Sequence, residues 1–130
     1  MLKQAKVTPN LRHYHRVPVA LEALLETRCG DAVMCRVCNL SRAGFMVECS
    51  PEMLQQLLPN REPVAPHQPV PVYSSLALPD GDLNVDCHVI YVRRVSSQCF
   101  NLGAEFRDFQ GDDAQRLENY VLQQMTDPGS

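Results

Sequence analysis

The feature that most constrains this chain is the alternation of apolar and polar residues in the run from Leu83 to Val95 (LNVDCHVIYVRRV). Leu83, Val85, Cys87, Val89 and Tyr91 share one face, and Asn84, Asp86 and His88 share the other. A period of two is the signature of a half-buried strand. It places Tyr91 in the core with Val89 and Cys87. The run is entered through Pro79-Asp80-Gly81-Asp82, a hairpin turn signal.

Shorter runs of the same kind recur along the chain. Val17–Glu26 (VPVALEALLE) begins as a strand with Val17, Val19, Leu21 and Ala23 on alternate positions; its Leu24-Leu25-Glu26 end fits a helix equally well. After a turn at Gly30-Asp31 come strands over Ala32–Leu40 and Gly44–Cys49, separated by the short polar turn NLSRAG. Pro71–Leu78 alternates Val72, Ser74, Leu76 and Leu78, and Phe100–Phe106 (FNLGAEF) closes the series. Gly103 within it suggests a close backbone approach.

Two helices punctuate these strands. Ser50 is placed to cap MLQQLL, with Pro51 at the first helical position and Glu52 in the first turn. The proline-rich stretch 59–71 then reads as an irregular connection. A second helix starts at Gly111-Asp112-Asp113, with Ala114, Leu117, Val121 and Met125 forming one apolar stripe. The fold class that follows is mainly β: a small antiparallel six-stranded β-barrel with a C-terminal α-helix. Residues 12–126 form one domain, flanked by tails at 1–11 and 127–130.

Composition narrows the function. The sequence is 130 residues long with a net charge of −3 and 6% aromatic residues, without tryptophan. That balance argues against a broad basic face or an aromatic platform for single-stranded nucleic acid. No apolar run reaches transmembrane length, and the N-terminus has no apolar core of a signal peptide, so no membrane insertion and a cytoplasmic location are expected. The six cysteines then read as reduced thiols. Cys35 and Cys38 form one C-x-x-C, but His67 and His88 lack the spacing to complete a zinc site, and residues three apart on a strand face opposite ways. No metal, no cofactor and no enzyme motif is expected.

Charge placement is more telling than net charge. The first sixteen residues carry Lys3, Lys6, Arg12 and Arg16 and no acid. Arg12 and Arg16 enclose R-x-x-x-R, with His13 and His15 as spacers, and Asn39-Leu40-Ser41-Arg42-Ala43-Gly44 reads N-x-S-x-x-G. These two motifs, in this order and about two strands apart, resemble the signature of the PilZ domain family. NLSRAGFMVE, LPDGD, HVIYVRR and NLGAEF followed by a helix fit the same resemblance, which extends over about residues 12–125.

The resemblance implies a receptor for cyclic di-GMP, with Arg12, Arg16, Asn39, Ser41, Arg42 and Gly44 as ligand-binding residues. It also implies an unidentified effector protein as partner, in motility, biofilm or exopolysaccharide control. A guanidinium fork matches guanine O6 and N7, or a phosphate, with two parallel hydrogen bonds. Asn39 offers an acceptor to the guanine N1 and N2 donors, Ser41 one hydroxyl, and Gly44 room for the ligand or for a turn. Each residue has a plainer role: solvated charge for the arginines, turn residue for Asn39 and Ser41. Tyr91 is an alternative stacking group. A family relative that binds no nucleotide and acts only as an assembly partner is the rival reading, and such members typically lack one or both motifs.

The resemblance also bears on stoichiometry. Many members of the family place another arginine directly before R-x-x-x-R, where this chain has Leu11. Leucine supplies neither charge nor fork for a second stacked ligand. Calorimetry is expected to give about one cyclic di-GMP per chain, and Leu11→Arg to shift the ratio toward two; a wild-type ratio near two overturns this.

Overall fold

The computed structural model describes residues 16–59 and 64–126. Six strands are present: β1 (Val17–Glu26), β2 (Ala32–Leu40), β3 (Gly44–Cys49), β4 (Val70–Leu78), β5 (Gly81–Ser96) and β6 (Cys99–Phe109). Helix α1 (Pro51–Leu57) lies between β3 and β4, and α2 (Asp113–Thr126) follows β6. The strands form a closed barrel in the order β1-β2-β3-β6-β5-β4, every pairing antiparallel. Leu24-Leu25-Glu26 is strand, not helix. It has to be, because Ala23–Glu26 pairs with Leu76–Tyr73 and so closes the barrel. That long-range ladder outweighs the local helical preference of two leucines and a glutamate.

Alternation fills the interior as expected. Leu25, Val37, Leu40, Phe45, Val47, Leu76, Leu83, Val85 and Leu102 are fully buried. Phe45, Phe106 and Phe109 stack in a tilted series with ring centroids 5.4 and 5.2 Å apart. Ser74 is also fully buried, and its hydroxyl donates to the Val85 carbonyl at 3.0 Å. That bond removes the penalty of a buried polar group. Burial pushes the neighbouring Cys87 thiol up to about 12, which keeps it neutral. Helix α1 begins as its sequence predicts: Ser50 Oγ accepts from Met53 N at 3.1 Å, and Pro51 occupies the first turn.

The stripe on α2 is narrower than its periodicity suggests. Leu117 and Val121 are buried, whereas Ala114 and Met125 are exposed. Arg116 supplies much of the remaining attachment. Its guanidinium donates to both carboxylate oxygens of Asp80, to the Gly81 and Asp82 carbonyls, and to Asp113. The helix is thereby clamped to the β4–β5 turn. The Arg116 hydrogen bond holds the Asp80 carboxyl below its ordinary value of 3.8.

Single-residue irregularities interrupt the ladders at five places, three of which bear on the site. Cys38 is extra on β2 between Val37 and Asn39, and Ile90 is extra on β5 between Val89 and Tyr91. β1 has an extra residue between Pro18 and Leu21, opposite the bulge at Cys38. A bulge turns every following side chain to the other face. Tyr91 is therefore not a core residue, as strict alternation requires, but a half-buried ring on the outside. It pairs with Gly103, where any Cβ would overlap the tyrosine ring. The close approach at Gly103 is made by this ring rather than by backbone.

Gly44 has a related constraint. It is buried and paired with Glu105, and a Cβ there would run into the Ala104 carbonyl oxygen of β6. Backbone cannot yield as a flexible side chain does. Gly44→Ala is expected to destabilise the fold by about 1–3 kcal/mol, the cost of overpacking, read as an earlier urea midpoint. A wild-type midpoint overturns the packing account. Arg116→Ala is expected to raise amide exchange across α2 more than in β2 and β3. Because the Asp80 pKa is depressed, the clamp's contribution is fully present above about pH 4 and is lost as pH falls further. The stability difference between wild type and Asp80→Asn should accordingly shrink below that pH, and a difference that persists in acid overturns the clamp.

Candidate functional site

The bulge at Cys38 creates the site. Val37 points inward and is fully buried, so unbroken alternation would also point Asn39 inward. The extra residue turns Asn39 outward and sends Leu40 into the core instead. Asn39 then meets Arg16, the exposed residue immediately before β1. Arg16 Nη1 donates to Asn39 Oδ1 at 2.8 Å across 23 residues of sequence. The two motifs are thus joined by a direct hydrogen bond.

A lane of side chains continues from this contact across the outer wall. Asn39 pairs with Met46, Met46 with Gly103, and Gly103 with Tyr91. The Asn39 amide nitrogen donates weakly to Met46 Sδ at 3.9 Å. The order along the lane is guanidinium, amide, thioether and aromatic ring. It combines a charged fork with a soft, flat apolar surface, the pairing that recognises a nucleobase beside a phosphate. Met46 was invisible to motif reading because it lies beyond N-x-S-x-x-G; its position two residues after Gly44, on the outward parity of β3, is the only signal.

Ser41 is placed differently from Asn39. It is 2% exposed, and its Oγ accepts from Ala43 N at 3.0 Å and Gly44 N at 3.3 Å. Ser41 N donates to the Gly44 carbonyl at 2.9 Å, and Phe106 N donates to the Ala43 carbonyl at 2.8 Å. Ser41 is a turn-forming residue here, with its hydroxyl engaged by the turn it closes. Gly44, without a positive φ, serves the close contact with β6 rather than a turn conformation. Arg42 stands at the apex of this turn, and its guanidinium reaches Glu118 on α2 at 3.3 Å. Arg12, Leu11 and the N-terminal lysines lie outside the described residues.

The remaining candidates do not converge. Cys35 faces the core, while Cys38 sits on the bulge, where burial and the nearby Glu48 push its thiol up to about 11. Among the described residues no three His, Cys, Asp or Glu side chains come together to hold a metal. A hollow of about 440 Å³ lies elsewhere, lined by Arg28, Tyr73, His88 and Arg107 but also by Glu26, Asp86 and Asp108. Its acids cancel its arginines, so it has no particular attraction for a phosphate.

Comparison with known proteins gives a consistent picture. No curated protein matches this chain in sequence. The Bacillus subtilis inhibitor of motility, MotI/DgrA, has a similar fold with a TM-score of 0.71 at 13% identity, over 94% of this chain and 55% of its own. The K. pneumonia MrkH–c-di-GMP complex gives a TM-score of 0.72 at 15% identity, over 92% of this chain and 55% of its own. The chain therefore spans about half the length of these two proteins. The PilZ domain of Escherichia coli YcgR with c-di-GMP gives 0.63 at 11% identity, over 92% of this chain and 95% of that domain. The family model described as PilZ domain matches residues 10–123, nearly the whole sequence. With both motifs joined on the wall of a six-stranded barrel, the chain belongs to the PilZ domain family.

Proposed function

We propose that this chain is a cytoplasmic receptor for cyclic di-GMP that changes its contact with an effector protein when the ligand binds. The observation that carries the reading is the 2.8 Å bond between Arg16 and Asn39, which brings the two motifs to one outer surface. Arg12 and Arg16 supply guanidinium forks for guanine edges or phosphates. Asn39 presents its amide to a guanine, since its Oδ1 retains a second lone pair beside the one used by Arg16. Ser41 and Gly44 act through the turn and its packing on β6, and Arg42 adds a cation at the turn's apex. Met46 and Tyr91 offer a surface on which a guanine stacks.

The structures of YcgR and MrkH with c-di-GMP support this choice of ligand through a shared fold. A role in motility, biofilm or exopolysaccharide control is an extension by analogy with proteins such as the inhibitor of motility. Lysine in place of either arginine would lose the fork and keep only a point charge.

Titration calorimetry tests the reading. Cyclic di-GMP is expected to bind, with GTP and cyclic AMP far weaker. Arg12→Ala and Arg16→Ala are each expected to weaken binding by about 1–3 kcal/mol, the scale of one bidentate contact. The fold survives Arg16→Ala, because the residue is exposed and precedes β1. Absence of binding, or wild-type affinity in both variants, overturns the assignment.

A further inference from the structure

The backbone on either side of Arg42 is held by the Ser41–Gly44 turn and by the bond from Phe106 N to Ala43 O, so the freedom at this position lies in the side chain. That side chain reaches away from its own motif to the last helix. Arg42 Nη1 lies 3.3 Å from Glu118 Oε2, with the two side chains 45% and 38% exposed. An ion pair this exposed contributes little stability and exchanges readily. A phosphate is a competing partner, and it takes a guanidinium with two charge-assisted bonds. Asn39, the residue that bonds Arg16, is only three positions before Arg42 in the same motif. A ligand seated over Arg16 and Asn39 therefore sits on the same short motif that carries Arg42.

Resting on the receptor reading above, we propose that Glu118 and the nucleotide phosphate compete for Arg42, so that α2 is a clasp sensitive to ligand occupancy. In the free chain Glu118 holds Arg42, and the tie runs from the N-x-S-x-x-G turn to α2. When a phosphate takes Arg42, the Glu118 carboxylate is released beside a shallow hollow of about 280 Å³ lined by Arg42, Phe109, Ala114, Leu117 and Glu118. The Arg116 clamp to Asp80 keeps the helix itself attached. The change is therefore local, at the Arg42 side of α2. Coupling of this kind is reciprocal: whatever draws Glu118 off Arg42 strengthens nucleotide binding by the same factor.

The test is a double-mutant cycle on the full chain, titrated with cyclic di-GMP: wild type, Glu118→Gln, Arg42→Ala and the double variant. Glutamine keeps the length and helix preference of glutamate at an exposed position. Glu118→Gln is expected to tighten binding about two- to five-fold, the scale of one exposed ion pair removed from competition. Arg42→Ala is expected to weaken binding, and adding Glu118→Gln to it to change nothing more. The clasp is overturned if Glu118→Gln leaves affinity unchanged or weaker. It is equally overturned if the same tightening persists without Arg42, since that is the mark of long-range charge alone. No binding by the wild type overturns the clasp and the receptor reading together; binding by the wild type with no effect of Glu118→Gln overturns the clasp alone.

Discussion

Closure of the barrel is the constraint on which the rest of this structure depends. The four pairs between Ala23–Glu26 and Leu76–Tyr73 join the first and fourth strands and leave the sheet continuous. Once closed, each strand has one face inward and one outward, and a fully packed interior allows no polar side chain without a partner. Ser74 is tolerated because the Val85 carbonyl accepts a hydrogen bond from its hydroxyl. The bulges at Cys38 and Ile90 are the means by which the chain keeps this interior apolar while aiming Asn39 and Tyr91 outward. The site is a consequence of register, which sets a row of outward side chains across four neighbouring strands.

The turn between β2 and β3 links this register to the rest of the molecule. Ser41 satisfies the amides of Ala43 and Gly44, the Ala43 carbonyl is tied to Phe106, and Gly44 brings the turn against β6. Two residues of the motif thus act by holding the others in place. Asn39 and Arg42 point from the two ends of this rigid segment, one toward Arg16 and one toward Glu118. Loss of binding in a Gly44 variant would therefore report on the fold as much as on the ligand. That distinction separates residues that touch a ligand from residues that shape its seat.

Electrostatics here are local. The chain carries a net charge of −3, yet its first sixteen residues hold four cations and no acid, and Arg16 bonds the motif that also carries Arg42. Several acids elsewhere are engaged by cations: Asp80 and Asp113 by Arg116, Glu105 by Arg107, and Glu118 by Arg42. A small anionic ligand responds to the cations within a Debye length, about 8–10 Å in physiological salt, rather than to the whole-molecule charge.

The sequence by itself determined the barrel class, because period-two alternation between turn signals is written locally, residue by residue. Leu83–Val89 and Ala32–Val37 read correctly for that reason, as did the Ser50 cap with Pro51. It also determined the family, since both motifs are short and contiguous. What it left to the tertiary structure is everything that depends on a partner strand. A bulge is defined by two residues facing one across a ladder, so neither strand alone reveals it; Tyr91 reads as core until Gly103 lies opposite. The helical ambiguity of Leu24–Glu26 ends only when β4 pairs with it. The Arg42–Glu118 contact spans 76 residues and has no local signature at either end. Local chemistry writes the pattern of faces, and only closure of the barrel decides which side chains meet.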